Sequence, residues 1–443
     1  MDRIKNSRIV QFFYNIPGVS RTYHFVWAWA AAKINRHPSR NIFVIGVTGT
    51  KGKTTTLELI NAILEAAGKR TALLSSLRVK IGDEGRKNQT GNSMPGRGFI
   101  QKFLREAREE HCAYALVEVT SQGVALHRHR FIEWNMGVIT NLAPEHIDWH
   151  GSYEKYRQAK LDFLENVLKC GGKVFLNRDD KEYGFLEEAL AGRSESDRAG
   201  ETIPYSRDDR WFKDSIAKAR LAQSLRDEGA PKFLLSKFNE ENIAVAVAIA
   251  KDLGISDRII EDAITNFEGV PGRMEFVRKG DYTAIVDYAH TPESLEAAYA
   301  AARPEPTPYF PVPRLICVLS AAGGGRDRWK RPAMGAIADQ YCDEIILTNE
   351  DPYDEDPEKI MAEIEGGIRR ADPERPPVLK TLDRGEAIRR AVDMMREGDV
   401  VIGTGKGSEE SIHVARGRTV PWNEREMFEE ALKQRFEKEQ APL

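Results

Sequence analysis

The sequence predicts an α/β protein whose mostly parallel sheets are covered by helices. Two observations predict this class. Short apolar, β-branched runs alternate along the chain with helical patterns, and a glycine-containing segment, TGTKGKT at residues 48–54, joins one such run to a helix. With 443 residues, the chain is long enough for two or three domains, each with its own core.

The segment at residues 48–54 predicts a phosphate-binding loop (P-loop). It follows the apolar run 42–47, which is typical of a buried strand, and precedes a helical pattern from Thr55 to about Ala67. Backbone N–H groups at such a helix N-terminus bind phosphate, while Lys53 can neutralise its charge and the Thr54 hydroxyl can hold Mg²⁺. The loop departs from the strict pattern, since Val47 stands where its first glycine belongs.

The loop opens a central ATP-binding domain, predicted over residues 41–270. Further strands are predicted at 71–74, 113–119, 136–140 and 173–176, and helices at 99–110, 153–168, 239–253 and 259–267. The polar segment 192–210 is predicted to be a surface excursion.

A second α/β domain of Rossmann-like type is predicted over residues 271–443. The segment 269–272 (GVPG) predicts a hinge, after which strand patterns recur at 283–286, 315–319, 344–347 and 400–403. The proline-rich stretch 303–313 is interpreted as a stiff loop within this domain.

Residues 1–40 predict a short N-terminal helical stub. Its apolar patch, YHFVWAWAAAKI at 23–34, is too short to span a bilayer. Two interpretations remain open for residues 1–37. The favoured one is a helix packed on the next domain, and the other is an interfacial helix whose Trp27 and Trp29 contact a membrane.

Composition excludes some classes of function. There are 65 Lys and Arg against 68 Asp and Glu, so nothing indicates a nucleic-acid partner. The four cysteines lack the spacing of a zinc site and are typical of a reducing compartment. We therefore expect a cytoplasmic enzyme acting on small molecules, and the sequence predicts no particular oligomeric state.

Polar side chains at strand ends indicate a metal site beside the P-loop. Glu118 closes the strand 113–119, and carboxylate oxygen is a ligand that Mg²⁺ prefers. His146 follows the next strand, and Lys160 lies on the helix after it. A cluster of these side chains near the phosphates is predicted.

Several long motifs in one order resemble the Mur ligases from about residue 42 to the C-terminus. The motifs are GTKGKTTT, EVTSQGVALHR, TNLAPEHIDWHGSYEKYRQAK, FNEEN, GRMEFV, DYAHTPESL, GGGRDRWKRPAMG, GTGKGSEE and WNER. Within the family, the sequence is most similar to the ligases that add the third residue to UDP-N-acetylmuramoyl-dipeptide.

The resemblance implies a role for each matching residue. ATP contacts fall on Gly49, Thr50, Lys51, Gly52, Lys53, Thr54, Thr55, Asn239, Asn242, Arg273, Asp287, His290, Arg326, Asp327 and Lys330. Two Mg²⁺ ions are implied on Thr54, Glu118, His146 and a carbamylated Lys160. Substrate contacts fall on Thr120, Ser121, Arg128, Glu350, Asp351, Tyr353, Gly405 and Glu409.

The resemblance also implies the reaction. The acceptor carboxylate attacks the γ-phosphate of ATP to give an acyl phosphate and ADP; an amine then attacks the carbonyl, and phosphate leaves as the amide forms. Lys53 and the metal ions neutralise the transferring phosphoryl group. Closure of the hinge is expected to exclude water from the acyl phosphate.

Departures from the family pattern bear on the substrates. Gln122 and Ser408 stand at histidine positions, and Lys51 at an asparagine position. The amine motif Asp-Asn-Pro-Arg of the diaminopimelate-adding enzymes reads EDPY at 350–353, so we expect lysine in preference to diaminopimelate. About 40 residues precede the P-loop strand, too few for the family's UDP-binding domain.

Two alternatives to a murein-type acceptor remain. One is a ligase similar to folylpolyglutamate synthase or to the ligase part of cyanophycin synthetase. The segment DYAHTP at 287–292 disfavours it, because those ligases typically carry asparagine before that proline. The other is a non-catalytic nucleotide-binding relative, which the retention of Lys53, Glu118, His146 and Lys160 disfavours.

Overall fold

The computed structural model describes residues 19–96, 98–192, 199–224, 239–325, 327–369 and 376–440. These residues form two units, the first extending to Phe267 and the second beginning at Glu268. Both are α/β, which confirms the predicted fold class. The predicted domain limits at residues 40 and 270 stay predictions.

The first unit is built on a twisted sheet covered by helices. Its strands are β1 (Phe43–Thr48), β2 (Thr71–Leu74), β3 (Arg78–Ile81), β4 (Glu84–Lys87), β5 (Tyr114–Glu118), β6 (Met136–Ile139), β7 (Lys173–Asn177) and β8 (Glu201–Tyr205). Its helices are α1 (Val19–Ile34), α2 (Lys53–Ala66), α3 (Phe99–Glu109), α4 (Ser121–Ala125), α5 (Ile147–His150), α6 (Tyr153–Lys169), α7 (Tyr183–Ala191), α8 (Arg210–Ser224), α9 (Glu240–Asp252) and α10 (Asp257–Thr265), with a 3₁₀ turn at Pro38–Asn41.

Strand β1 lies at the centre of this sheet and sets the position of the loop that follows it. The strand order is β4-β3-β2-β5-β1-β6-β7-β8, and all pairings are parallel except those of β3 with β2 and β4. In this register Val47 lies beside Glu118 of β5 and Val138 of β6. Because parallel strands end at the same edge, the loop after β1 meets the residues that follow β5 and β6.

The predicted strands of the first unit are confirmed, with shifts of a residue or two at their ends. The prediction that residues 192–210 are a surface excursion is wrong in part. Residues Glu201–Tyr205 form β8, which pairs in parallel with β7. Pro204 lies in this edge strand, where a proline costs no ladder bond on its solvent side. Residues 193–198 of the same segment lie outside the described residues.

The second unit has its own sheet. Its strands are β9 (Glu275–Lys279), β10 (Tyr282–Asp287), β11 (Leu315–Leu319), β12 (Glu344–Thr348), β13 (Leu379–Thr381) and β14 (Val400–Thr404), in the order β13-β12-β11-β14-β10-β9, with a hairpin of β15 (Ser411–Val414) and β16 (Arg418–Pro421). Its helices are α11 (Pro292–Ala302), α12 (Lys330–Tyr341), α13 (Pro357–Glu365), α14 (Arg384–Asp393) and α15 (Glu424–Gln440).

The pairings of this second sheet are parallel except that between β9 and β10. Both faces of β11 are buried in apolar clusters, which explains why its sequence is a continuous apolar run. Cys317 in this strand forms a disulfide with Cys342 at the end of α12. The interpretation of the cysteines as typical of a reducing compartment did not anticipate this pair.

Candidate active site

The loop of residues 49–52 is held against the ends of β6 and α9. Gly52, the N-cap of α2, has a left-handed φ of 81°, and a Cβ atom there would lie 2.1 Å from Asn242 Oδ1. Asn242 is thus packed on the loop, beside the buried Asn239 at the start of α9. On the other side, the backbone N–H of Lys51 donates to Asn141 Oδ1 at 2.8 Å. These contacts fix the loop backbone from two sides.

Lys53 folds back over this loop. Its Nζ donates to the carbonyl oxygens of Gly49 at 3.0 Å and Thr50 at 2.9 Å. Thr50 in turn shares a 2.9 Å hydrogen bond with the Tyr156 hydroxyl, and Thr55 is buried in the first turn of α2. The ammonium group therefore lies at the helix N-terminus, where an anionic ligand is stabilised by both the lysine and the helix dipole.

Hard oxygen donors gather next to Lys53. Thr54 Oγ1 donates to Glu118 Oε2 at 2.9 Å and lies 3.0 Å from Ser76 Oγ, while the backbone N–H of Ser76 donates to the same Glu118 oxygen at 2.9 Å. Glu118 is buried at the end of β5. A hydroxyl and a carboxylate at this spacing are the ligand types that Mg²⁺ prefers, so Thr54 and Glu118 fit a magnesium site.

Lys160 lies on the buried side of α6, facing the same loop. Its side chain is only 1% exposed, its Nζ donates to Gly49 O at 2.6 Å, and it lies 4.8 Å from the centre of the Tyr156 ring. Burial, reinforced by the nearby positive charge of Lys53, lowers the pKa of Lys160 well below that of an ordinary lysine.

His146 completes this side of the site. It has a left-handed φ of 54°, and its Nε2 lies 4.0 Å from Glu145 Oε2. Burial lowers the pKa of His146, as do the lysines around it, while Glu145 opposes the shift. Glu145 also accepts from Lys51 Nζ at 2.7 Å. A neutral imidazole is the form that coordinates a metal ion.

The residues predicted to contact the acceptor lie at and after the start of α4. Thr120 caps this helix by accepting from the Gly123 N–H at 3.1 Å, and Ser121 Oγ lies 3.0 Å from His150 Nε2. Burial lowers the pKa of His150 to about 4. Arg128 donates to Met94 O at 2.5 Å and lines a groove beside α1.

In the second unit, Asp287 organises the turn that follows β10. Its two carboxylate oxygens accept from the N–H groups of Met274 and Ala289 at 2.8 Å and 2.7 Å. Arg273 lies over the Tyr288 ring, 4.1 Å from its centre, and His290 Nδ1 bonds the Tyr288 carbonyl. Arg273, Asp287 and His290 thus lie around one turn, and their contact with a nucleotide stays a prediction.

The other nucleotide-contacting residues predicted in this unit fall around the start of α12. Asp327 has a positive φ of 35°, and its backbone carbonyl oxygen accepts from the Lys330 N–H at 3.1 Å. Lys330 is buried at the first position of the helix. Arg326 lies outside the described residues.

The residues predicted to bind the amine form an acidic cluster with one buried lysine. Lys406 Nζ donates to Asp351 at 2.9 Å and to Glu409 at 2.5 Å, and the Glu409 side chain is 40% exposed. Glu350 is buried against Gly405, whose φ is 105° and whose Cβ, if present, would lie 2.4 Å from a Glu350 oxygen. Burial raises the pKa of Glu350, an effect that Lys406 opposes.

Tyr353 lies beside this cluster. It has a left-handed φ of 52°, and its ring stacks on His413 with 5.2 Å between ring centres. Tyr353 stands at the position that carries arginine in the motif of the diaminopimelate-adding enzymes. This protein therefore has an aromatic ring there in place of a guanidinium group.

Sequence reasoning missed several members of both sites. In the first unit these are Ser76, Glu145, His150 and Tyr156; in the second they are Ser320, Arg384, Lys406, His413 and Glu424. The motifs already contained Glu145, His150, Tyr156, Lys406 and Glu424. Their spacing alone could not show which of them point into a site.

Within the described ranges, no set of three His, Cys, Asp or Glu side chains is placed to hold a metal ion. No described helix has both the length and the apolar character needed to cross a membrane.

Comparison with known proteins defines the class to which this fold and site belong. Residues 47–250 match the Mur ligase middle domain, and residues 272–407 match the domain described as Mur ligase, glutamate ligase domain. The chain is thus a two-part α/β ligase.

Individual relatives make the assignment specific. The UDP-N-acetylmuramoyl-L-alanyl-D-glutamate–2,6-diaminopimelate ligase of Syntrophomonas wolfei is 35% identical over 92% of this chain and 81% of its own length. The UDP-N-acetylmuramyl-tripeptide synthetase of Deinococcus radiodurans is 34% identical over 89% of this chain and 79% of its own length. The chain belongs to the Mur ligase family and is an ATP-dependent acid–amino-acid ligase.

Solved structures agree on the fold. A diaminopimelate ligase of the same type has a TM-score of 0.59 at 24% identity and covers 93% of this chain and 83% of its own. The folylpolyglutamate synthase of Mycobacterium tuberculosis, complexed with ADP and AMPPCP, has a TM-score of 0.63 at 16% identity and covers 86% and 92%. At these identities the likeness shows the fold alone.

Proposed function

We propose that this ligase adds an amino acid to the free carboxylate of a peptidoglycan precursor of the UDP-N-acetylmuramoyl-peptide type. The relatives are named for that acceptor. The observation that carries the proposal is the convergence of Lys53, Thr54, Glu118 and Lys160 on one helix N-terminus. This arrangement suits a triphosphate with its metal ion and has no use in a merely structural turn.

Each site residue of the first unit then has a role in the reaction. The loop N–H groups and Lys53 would hold the phosphates. Thr54 and Glu118 would hold Mg²⁺, which when bound would neutralise charge on the transferring phosphoryl group. The acceptor carboxylate attacks the γ-phosphorus, the bond to ADP breaks, and an acyl phosphate forms. Thr120, Ser121 and Arg128 orient the acceptor.

We further propose that Lys160 carries a carbamate. Its amine is buried beside Lys53, where a charged ammonium is disfavoured, and a neutral amine is the form that adds CO₂. The carbamate would turn a cation into an anion next to His146 and supply the oxygen ligands of a second Mg²⁺. Asn239 and Asn242 would lie on the adenine side. We also propose the nucleotide contacts that the family resemblance implies for Arg273, Asp287, His290, Arg326, Asp327 and Lys330.

The second unit would bind the amine that attacks the acyl phosphate and releases phosphate. We propose that this amine has a distal ammonium, as lysine has. Lys406 is already paired with Asp351 and Glu409. The Glu409 carboxylate also accepts from the Tyr288 hydroxyl at 3.2 Å, and its side chain is 40% exposed, so it can be reached by a further cation. Tyr353 offers a cation–π surface in place of an arginine that would bind a distal carboxylate.

A matrix assay tests the proposal. Phosphate release with ATP and Mg²⁺ is measured for UDP-N-acetylmuramoyl-dipeptide and a folate acceptor, each with lysine, meso-diaminopimelate or glutamate. We expect release with the muramoyl acceptor and lysine. Release only with the folate acceptor and glutamate would instead support the folylpolyglutamate-type alternative, and a preference for diaminopimelate would contradict the lysine proposal alone.

A further inference from the structure

Helix α1 (Val19–Ile34) has one buried face and one apolar exposed face. Ala31 and Ala32 are buried, and Ala31 lies against Gly98 at the start of α3. The large apolar side chains lie elsewhere on the helix and are 39–70% exposed: Tyr23, Phe25, Val26, Trp27, Trp29 and Ile34. Tyr23, Val26, Trp27 and Ile34 recur at intervals of three, four and seven residues, so they form one stripe along the helix.

An exposed stripe of this kind is unusual on a protein surface. A tyrosine, a valine, a tryptophan and an isoleucine share this stripe, and the exposed Trp29 lies three residues from Val26 along the helix, whereas isolated exposed apolar residues need no explanation. Tryptophan and tyrosine are also the residues enriched where a membrane meets water, because their rings are apolar with one polar group. The composition of the stripe thus matches a lipid interface better than a protein interior.

The described segment that contains the helix is basic. Residues 19–40 contain four Lys or Arg and no Asp or Glu, in a chain whose net charge is −3. The four are Arg21, Lys33, Arg36 and Arg40. Lys33 and Arg36 are exposed, Arg40 is ion-paired with Glu133 at 2.9 Å, and the Lys33 ammonium lies 5.9 Å from the Trp29 ring centre. Basic side chains beside aromatic ones are the composition of helices that lie on anionic membranes.

We propose that α1 docks this protein on an anionic lipid bilayer, with the helix lying in the interfacial plane. The apolar stripe would enter the headgroup region, and the basic residues would meet lipid phosphates. This inference goes beyond the ligase reaction and does not depend on it, since the docking face and the phosphate site are made of different residues.

A groove next to α1 gives the docking a direct consequence. The groove is lined by Tyr23 and Trp27 of the helix and by Arg128 and Arg130 of the turn after α4. A helix lying on the membrane would therefore bring Arg128, a proposed acceptor contact, close to the lipid surface. Two arginines in a partly apolar groove suit the phosphate of a headgroup.

Vesicle sedimentation of the full chain tests the docking. Vesicles of phosphatidylglycerol and phosphatidylcholine in equal parts are compared with vesicles of phosphatidylcholine alone. We expect binding to the anionic vesicles that weakens as salt is added. The double variant Val26→Ser/Trp29→Ser should bind about tenfold more weakly or worse, because it loses buried apolar area, and Lys33→Glu should bind about fivefold more weakly.

The matched control is Tyr309→Ser/Val312→Ser, which removes two large apolar side chains that are 88% and 83% exposed in the second unit. The control should bind vesicles as the original protein does, and ATP turnover with soluble acceptor should be unchanged in every variant. Absence of binding to anionic vesicles would overturn the proposal. A second contrary result would be that the original chain binds no vesicles while the Val26→Ser/Trp29→Ser protein is less thermally stable. In that case another part of the chain would cover the face. Concentration-dependent self-association abolished by the double variant would assign the face to a second copy instead.

Discussion

Lysines in the two units have hydrogen-bond partners of opposite kinds. In the first unit, Lys53 and Lys160 donate to carbonyl oxygens of the loop after β1. In the second, Lys406 donates to the carboxylates of Asp351 and Glu409. A bond to a carbonyl does not neutralise an ammonium charge, whereas a bond to a carboxylate does. The comparison indicates that the ammonium of Lys406 is neutralised within its own unit, whereas the loop bonds of Lys53 and Lys160 fix the positions of their amines without neutralising charge.

A second contrast lies in how the two units use buried charge. Arg384 and Glu424 of the second unit form an almost fully buried pair, with 2.6 Å between Arg384 Nη2 and Glu424 Oε1. Arg384 also donates to Ser320 Oγ and Thr404 O at 2.8 Å. These bonds tie α14 and α15 to the ends of β11 and β14, so the buried pair stabilises the fold around the second site. In our account, the buried Lys160 of the first unit instead takes part in the reaction, as a carbamate.

The largest expected effect is that of Lys53→Ala on turnover. Removing the ammonium from the phosphate site should lower turnover by about 10³-fold, because the transferring phosphoryl group loses a positioned cation. The urea midpoint of unfolding should hardly change. Lys155→Ala, which removes an exposed lysine from α6, is the control and should keep full activity. Substantial turnover by Lys53→Ala would refute the phosphate site.

The next effect is on stability. Arg384→Met should lower the free energy of unfolding by about 3 kcal/mol, since it leaves Glu424 buried without its cation. Urea denaturation measures the loss. Replacing both partners, as in Arg384→Met/Glu424→Leu, should recover much of it. Arg390→Met removes one member of an exposed pair with Glu386 and should lower the free energy of unfolding far less, because solvent screens that pair. If Arg384→Met and Arg390→Met lowered the free energy of unfolding equally, the buried pair would contribute no more to stability than an exposed one, contrary to our account.

Lys160→Ala should reduce turnover by about 10²-fold or more, because a metal ligand is lost with the carbamate. Added formate or acetate should restore part of the activity. The original protein should lose activity when CO₂ is removed and regain it with bicarbonate. Because its lowered pKa keeps the Lys160 amine neutral at a lower pH than usual, this recovery should persist toward neutral pH. Activity unaffected by both treatments would argue against a carbamate.

The smallest effect concerns the choice of amine. Tyr353→Arg introduces the planar cation of the diaminopimelate-adding motif, so kcat/KM for diaminopimelate relative to lysine should rise about tenfold, or ~1.4 kcal/mol. Tyr309→Arg, in the exposed loop of the same unit, is the control for added charge and should leave the ratio unchanged. If Tyr353→Arg left this kcat/KM ratio unchanged, residues other than Tyr353 would determine which amine is used.

Much of the fold was predictable because its central strands are apolar on both faces. The predicted strands at 71–74 and 315–319 have the observed limits. Strand β4 was missed since all four of its residues are exposed and give no apolar pattern. Strand β8 was missed because its sequence, ETIPY, is largely exposed and contains a proline, both features of an edge.

The candidate site was predictable where a motif fixes residue order and not where distant segments meet. Lys53 and Thr54 follow from one stretch of sequence, but the contact of Thr54 with Ser76 joins the segments that follow β1 and β2, two strands separated by β5 in the sheet. Likewise, the pairing of Lys406 with Asp351 joins residues 55 positions apart, so EDPY looked more acidic in the sequence than it is in the fold.

The central claim is that the acceptor carboxylate is activated as an acyl phosphate. It is tested most directly by labelling that carboxylate with ¹⁸O and examining the phosphate released during ligation by ³¹P NMR. The account predicts that one ¹⁸O passes from the acceptor to each phosphate, because the carboxylate oxygen that attacked the γ-phosphorus leaves with it. Unlabelled phosphate released together with amide product would contradict it.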